Sequence, residues 1–230
     1  MCGRYVLSAA VEELVKKYGA IPKGLFRAEP SYNVAPSTHM PIVTERGDDR
    51  TVSLSRWGLV PFWAKSRDTG YSMINARSET LDEKRSFSQP FASRRCIVPA
   101  DGFYEWKKSS AGKIPYYITT PDRSLMNFAG LYELWKDDDG KLVNSFTIIT
   151  TSANKTMEDL HDRMPAMLLP EEFDFWLDPN NSDLSALKDL LRPWPDDAMT
   201  LYRVGTEVNN ARNNGARLIE PYRDLFGRTE

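Results

Sequence analysis

Cys2 occupies a position that gives it chemistry no other residue of the chain can offer. A small second residue is what methionine-removing enzymes accept, so the mature chain is expected to begin at Cys2. Its α-amine (pKa about 7.7–8.0) and its thiol (pKa about 8.5) then sit two carbons apart, and near neutral pH both are partly in their nucleophilic forms. Such a 1,2-aminothiol condenses with an aldehyde to an imine, which the thiol closes into a five-membered thiazolidine. On position alone Cys2 reads as the start of a frayed terminus. The residues further along the chain change that.

Phe103-Tyr104-Glu105-Trp106 sets one carboxylate in an aromatic strand. Glu105 either points to solvent or faces a pocket, where desolvation would suit it to general acid–base work. His161, ahead of Asp162-Arg163-Met164-Pro165, has the side chain best matched to proton transfer near pH 7. His39, beside Pro41, reads as structural. Asn75 and Arg77 stand two residues apart, hence on one face if the segment is extended. In the run from Arg56 to Lys65, Trp57 reads as core, whereas Phe62 and Trp63 are candidates to stack on nucleobases. Phosphate contacts fall to Arg4, Arg77, Arg85 and Arg163.

These side chains need a scaffold, and the chain spells out most of one. Ser8 is placed to cap a helix with Val11, Leu14, Val15 and Tyr18 on one face and Gly19 beyond its end. Met40–Glu45 and Thr51–Trp57 flank Gly47-Asp48-Asp49 as a hairpin. Further strands are expected at 95–99, 103–106, 116–119, 126–135, 145–151 and 200–204, with Asp137-Asp138-Asp139-Gly140 as a hairpin turn. Helices are expected at 154–160, 171–177 and 183–191, and a short closing helix near Tyr222–Phe226. Strands that come in runs predict a largely antiparallel α+β architecture rather than a doubly wound sheet. No linker or repeat divides the 230 residues, so one domain over 1–230 is expected, with a short tail from about 222.

Composition narrows the function classes. Nothing near the N-terminus reads as a signal peptide, and no run approaches the ~18 apolar residues of a membrane span. Two cysteines, Cys2 and Cys96, make no disulfide framework, and with two widely spaced histidines they make no zinc pattern. The expectation is a cytoplasmic protein without metal or cofactor, nucleoid-associated if bacterial. Residues 1–115 hold 18 Lys/Arg against 12 Asp/Glu, and residues 116–230 hold 12 against 20. That split allows a basic face, and an ordinary mixed surface equally.

In sequence order, Met1-Cys2-Gly3-Arg4, Tyr32-Asn33-Val34-Ala35-Pro36, Trp57-Gly58-Leu59-Val60-Pro61, Asn75-Ala76-Arg77-Ser78-Glu79-Thr80 and Arg95 to Trp106 resemble the SOS response-associated peptidase (SRAP) family. Phe128 to Glu133, Thr147 to Thr151, His161 to Pro165 and Asn213 to Pro221 extend the resemblance over nearly the whole chain. It implies a single SRAP-type domain with a barrel-like β core and flanking helices. It further implies that Cys2 forms a thiazolidine with the ring-opened aldehyde of an abasic site in single-stranded DNA, with Asn75, Glu105 and His161 taking part. The expected DNA-contacting set is then Arg4, Asn33, Phe62, Trp63, Arg77, Arg85 and Arg163. The family's tryptophan-rich wedge is represented here by Phe62-Trp63 and a longer 65–71 segment, which leaves the stacking residue open.

Three functions compete. The leading one is an abasic-site sensor of the SOS response that crosslinks to damaged DNA and shields it from strand cleavage, as a monomer on single strands and single/double-strand junctions. Another is a Cys2-dependent peptidase, including removal of its own Met1, with His161 as the base; lyase-like activity is also open. The third is a noncovalent single-strand-binding module. Hydrolysis needs the thiol alone, whereas a thiazolidine needs amine and thiol together.

Overall fold

The computed structural model describes residues 2–24, 29–47, 49–110 and 112–224. Strand β1 (Arg4–Leu7) leads into helix α1 (Val11–Tyr18). The helix buries Val11, Leu14 and Tyr18, and it places Glu12 and Glu13 in its first turn and Lys16 and Lys17 in its last, as the helix dipole favours. It ends at Gly19, at φ 58°, where a left-handed residue suits glycine. Ser8 is not its cap. Ala10 holds that position, its N–H donating to Glu13 at 3.1 Å, while Ser8 Oγ donates to the Asp101 carboxylate at 2.7 Å, a charge-assisted bond.

The chain continues through β2 (Ile21–Pro22), β3 (Ser31–Val34), β4 (His39–Arg46), β5 (Asp49–Trp57), β6 (Asn75–Arg77), α2 (Ser88–Ser93), β7 (Arg95–Ala100), β8 (Gly102–Ser109) and β9 (Gly112–Thr119). Next come β10 (Met126–Lys136), β11 (Leu142–Ser152), α3 (Lys155–Glu158), β12 (Arg163–Pro165), α4 (Phe173–Leu177), α5 (Leu184–Asp189) and β13 (Thr200–Arg203). Five strands close into a barrel. β4 pairs with β5 and β7, β7 with β10, and β10 with β11, all antiparallel. β11 returns to β5 in a parallel join at Ser145↔Arg56 and Phe146↔Trp57, which removes both edges of the ring. In the core Trp57 stacks on Phe146 with centroids 6.4 Å apart, and Tyr5 meets Trp57 edge-on at 5.1 Å.

β7 is buried at every residue because α4 packs against it, and α2 touches both β7 and β10. Buried Arg95 ties these layers together. Its guanidinium donates to the carbonyls of Phe91, Ala92 and Trp176 at 2.7 Å each, and burial pushes its pKa down to about 10.

A second, open sheet runs β13-β9-β8-β1-β3, antiparallel throughout, around Val6, Tyr104, Tyr117, Val204 and Val208. Beyond its join with β5, β11 pairs in parallel with β6 (Ile148↔Asn75, Thr150↔Arg77) and antiparallel with β12 (Thr150↔Pro165, Ser152↔Arg163). The architecture is the α+β fold that the strand runs predict, with a largely antiparallel, barrel-like core and flanking helices.

The expected hairpin and the strands from 95 to 151 are present, most with longer bounds. β1, β2, β3, β6 and β12 go beyond those expectations, because two to four residues cannot display a period. The closing helix is not found where it is described. Val204 bridges Pro221, and Tyr222 N–H donates to Arg203 O at 2.8 Å, so pairing holds this stretch extended. Residues 225 and 226 of that expected helix lie outside the described residues, as does Met1. No helix among the described residues is long and apolar enough to cross a membrane.

Candidate functional site

Cys2 is not frayed: it is fully buried and belongs to the main core cluster. β1 does this by pairing with β8 at Arg4↔Tyr104, and continuing that register sets Gly3 against Glu105. Asn75, at the start of β6, donates from Nδ2 to Cys2 O at 2.9 Å across 73 residues of sequence. Asn75 Oδ1 is buried and accepts no hydrogen bond. The Cys2 thiol faces Arg4 O at 3.8 Å. Burial, and next the negative charge of Glu105, push the thiol's pKa up.

Glu105 faces inward rather than to solvent, with only 5% of its surface exposed. It lines a cleft of about 560 Å³ with Gly3, Trp106, Lys108, Lys113 and the 159–162 segment that carries His161. His161 follows α3, its N–H bonded to Met157 O at 2.9 Å. Its Nδ1 lies 3.0 Å from Arg163 N and 2.7 Å from Asp162 Oδ1. One nitrogen cannot accept from the first and donate to the second at once. A neutral His161 that accepts the Arg163 N–H carries its proton on Nε2. Cys2 is thus held by the Asn75 hydrogen bond beside the charge of Glu105, and Glu105 and His161 line one cleft with Gly3.

The expected DNA-contacting residues fall into three groups. Phe62 and Trp63 are 52% and 38% exposed, and exposed Arg85 lies over the Trp63 ring at 5.4 Å. Arg77 is exposed on β6. Arg163 is held by Glu79 in a bidentate pair, with Nη1 at 2.5 Å and Nη2 at 2.9 Å. Arg4 and Asn33 turn inward instead. Arg4 Nη1 donates to Asn33 Oδ1 at 2.8 Å and to Val208 O at 3.0 Å. Buried Asn33 donates to the carbonyls of Val208, Asn210 and Asn213 at 3.2, 3.0 and 3.0 Å. Its Nδ2 therefore ties the 208–213 loop to β3, while its Oδ1 holds Arg4 of β1.

Sequence reasoning missed Trp106, Lys108, Lys113 and Glu79. Only the Lys-Lys-Ser-Ser-Ala-Gly-Lys run, with lysines on both sides of a turn, offered a signal. The described residues hold no cluster of three or more His, Cys, Asp or Glu side chains placed to bind a metal ion.

Residues 1–211 match the model of the family described as SOS response associated peptidase (SRAP). The chain is 44% identical over 226 residues to the abasic site processing protein YoqW of Bacillus subtilis strain 168, covering 96% of this chain and all of that protein. It is 34% identical over 217 residues to the abasic site processing protein HMCES of Xenopus tropicalis, covering 81% of this chain and 64% of that one. Among solved structures, a protein from Bacteroides thetaiotaomicron superposes with a TM-score of 0.85 at 31% identity, over 95% of this chain and 99% of that one.

Proposed function

The chain belongs to the SRAP family, and from that membership we propose that it processes abasic sites in DNA by forming a covalent crosslink through Cys2. The observation that carries the proposal is the convergence on Cys2. Asn75 grips its carbonyl at 2.9 Å, and Glu105 and His161 line one cleft beside Gly3.

The chemistry balances without a redox partner or cofactor. The abasic sugar opens to its aldehyde, assisted by an acid, for which His161 Nε2 is the candidate. The Cys2 α-amine, exposed once Met1 is removed, attacks the aldehyde carbon. A C–N bond forms, the carbonyl oxygen leaves as water, and Glu105 carries the protons. The thiol then adds across the C=N bond, forming C–S and returning a proton to nitrogen. Asn75 Oδ1, buried without a donor, supplies an acceptor for the amine or a sugar hydroxyl. A Cys–His hydrolase would instead need a base that ionises the thiol. Here the Cys2 thiol donates to Arg4 O, and His161 Nδ1 is engaged by Arg163 N and Asp162, which favours crosslinking over the peptidase reading.

Intact mass spectrometry tests the proposal, before and after mixing the protein with a single-stranded oligonucleotide carrying one abasic site. The expected product lacks Met1 and gains the oligonucleotide less one water. No adduct, or an adduct at undiminished yield from Cys2→Ala, overturns it.

A further inference from the structure

Lys108 and Lys113 stand directly opposite each other in the β8–β9 hairpin. Like charges in directly opposed positions of an antiparallel pair repel, and such a pair weakens its own hairpin unless something negative sits between. Both residues are exposed. Among the described residues neither enters an ion pair. Asp159 and Asp162 line the same cleft without neutralising them, and Asp162 is already placed against His161.

Their placement is fixed by the strand. Tyr104↔Tyr117, Trp106↔Pro115 and Lys108↔Lys113 follow one another along one face of the two-stranded ribbon. Trp106 anchors that face, its indole N–H donating to Asn209 Oδ1 at 2.7 Å. Lys108 lies three residues from Glu105, about 10 Å along an extended strand and on its other face. Both lysines nonetheless line the cleft that holds Glu105 and His161, at the distance of a neighbouring group on a polymeric substrate.

We propose that Lys108 and Lys113 form a phosphate subsite for the DNA strand flanking the abasic sugar, fixing which backbone phosphates enter the cleft. The subsite rests on the abasic-DNA reading for the identity of the polyanion. It adds a strand contact to the set Arg77, Arg85 and Arg163. A phosphodiester seated between the lysines relieves their repulsion and holds the strand at the cleft before any covalent step. Its contribution lies in the encounter and not in the chemistry.

The test measures noncovalent binding of a single-stranded abasic oligonucleotide by fluorescence anisotropy across a salt series, alongside crosslinking rate at saturating DNA. Two neutralised phosphates predict that Lys108→Ala/Lys113→Ala lowers the log K–log salt slope by about 1.4. Binding at 0.1 M salt should be roughly 10- to 30-fold weaker, while the saturated crosslinking rate stays unchanged. Removing the same charge from α1, with Lys16→Ala/Lys17→Ala, should leave the slope within a few tenths. Oligonucleotides with single neutral methylphosphonates near the abasic site locate the contact. At one or two positions the substitution should weaken the unaltered protein and leave the double variant unaffected. An unchanged slope in the β8–β9 variant overturns the subsite, as does an equal loss in the α1 variant or an equal methylphosphonate response at every position. If the unaltered protein forms no adduct, the crosslinking proposal fails, while the binding arm still decides the lysine pair.

Discussion

The amide of Asn75 is divided between two tasks. Nδ2 holds the Cys2 carbonyl at 2.9 Å, and Oδ1 is buried with no donor, a cost of about 1–3 kcal/mol that a site recovers only when a ligand supplies the proton. Asn75→Ala should therefore slow crosslinking by about 10²-fold with little change in noncovalent DNA affinity, because it loosens the geometry of attack. Rates from a saturating DNA series would show this. Glu105 acts on the same residue through charge, raising the Cys2 thiol's pKa behind the larger effect of burial. Glu105→Gln removes that charge and lowers the thiol's pKa, though burial still holds it up. The rate itself should fall by roughly 10²–10⁴-fold in both formation and reversal, since proton shuttling is lost in each direction. Unchanged rates both ways would return Glu105 to a structural role. Cys2→Ala should abolish stable adducts and also lower the melting temperature by about 2–4 °C, because it removes a fully buried sulfur from the core.

Strands β6 and β12 are too short to be stable alone, and side chains clamp them to β11. Arg163, from β12, grips Glu79 just past β6, and its hydrogen bonds are the largest influence holding the Glu79 carboxyl below its usual range. A depressed folded pKa means that the contribution is fully present above pH 4.5, the ordinary value, and is lost as pH falls through the lowered one. Glu79 is 53% exposed, so solvent screening keeps the pair to about 1 kcal/mol or less. Glu79→Gln should thus destabilise slightly at neutral pH and flatten the acid limb of the stability curve. The same substitution releases Arg163, so single-strand affinity should rise, and a fall would remove Arg163 from the DNA-contacting set. A second clamp is steric. Gly58, at φ 111°, lies against the backbone of Gly70, and a Cβ on either would strike the other's carbonyl oxygen. Gly70→Ala should cost about 1–3 kcal/mol, near 5 °C of melting temperature, and displace the loop that carries Phe62 and Trp63. Thermal unfolding would check it.

Across the molecule, both sheets draw strands from both halves of the chain. β13 joins β9, and β10 and β11 join β7 and β5, so the basic and acidic halves are interleaved and do not form opposite faces. Under the proposed function, DNA selection then falls to local clusters such as Arg85 with Trp63, and exposed Arg77. Stacking on Phe62 or Trp63 needs an unstacked base, and a duplex withholds both that base and the abasic sugar at a cost of a few kcal/mol. Crosslinking should be fast on single strands and slow within continuous duplex, and equal rates at matched salt would sink the idea that these clusters select the strand. Arg77→Ala should reduce the salt slope of binding by about 0.7, one single-strand phosphate.

What could be read from residues in order was whatever repeats over a short distance. The Met40–Trp57 hairpin, the Asp137–Gly140 turn and the apolar strands from 95 to 151 all carry local signals. Family motifs carried Cys2, Asn75, Glu105 and His161 as a set, yet nothing local said which way each side chain faces. That depends on register between strands distant in sequence: Arg4↔Tyr104 buries Cys2 beside Glu105, and Thr150↔Arg77 with Thr150↔Pro165 brings Arg163 to Glu79. Alternation along a strand offers two faces and cannot tell a pocket from solvent until a partner covers one of them. Asn33 shows the same limit, since its ties to a loop more than 170 residues away could not be read from its own segment.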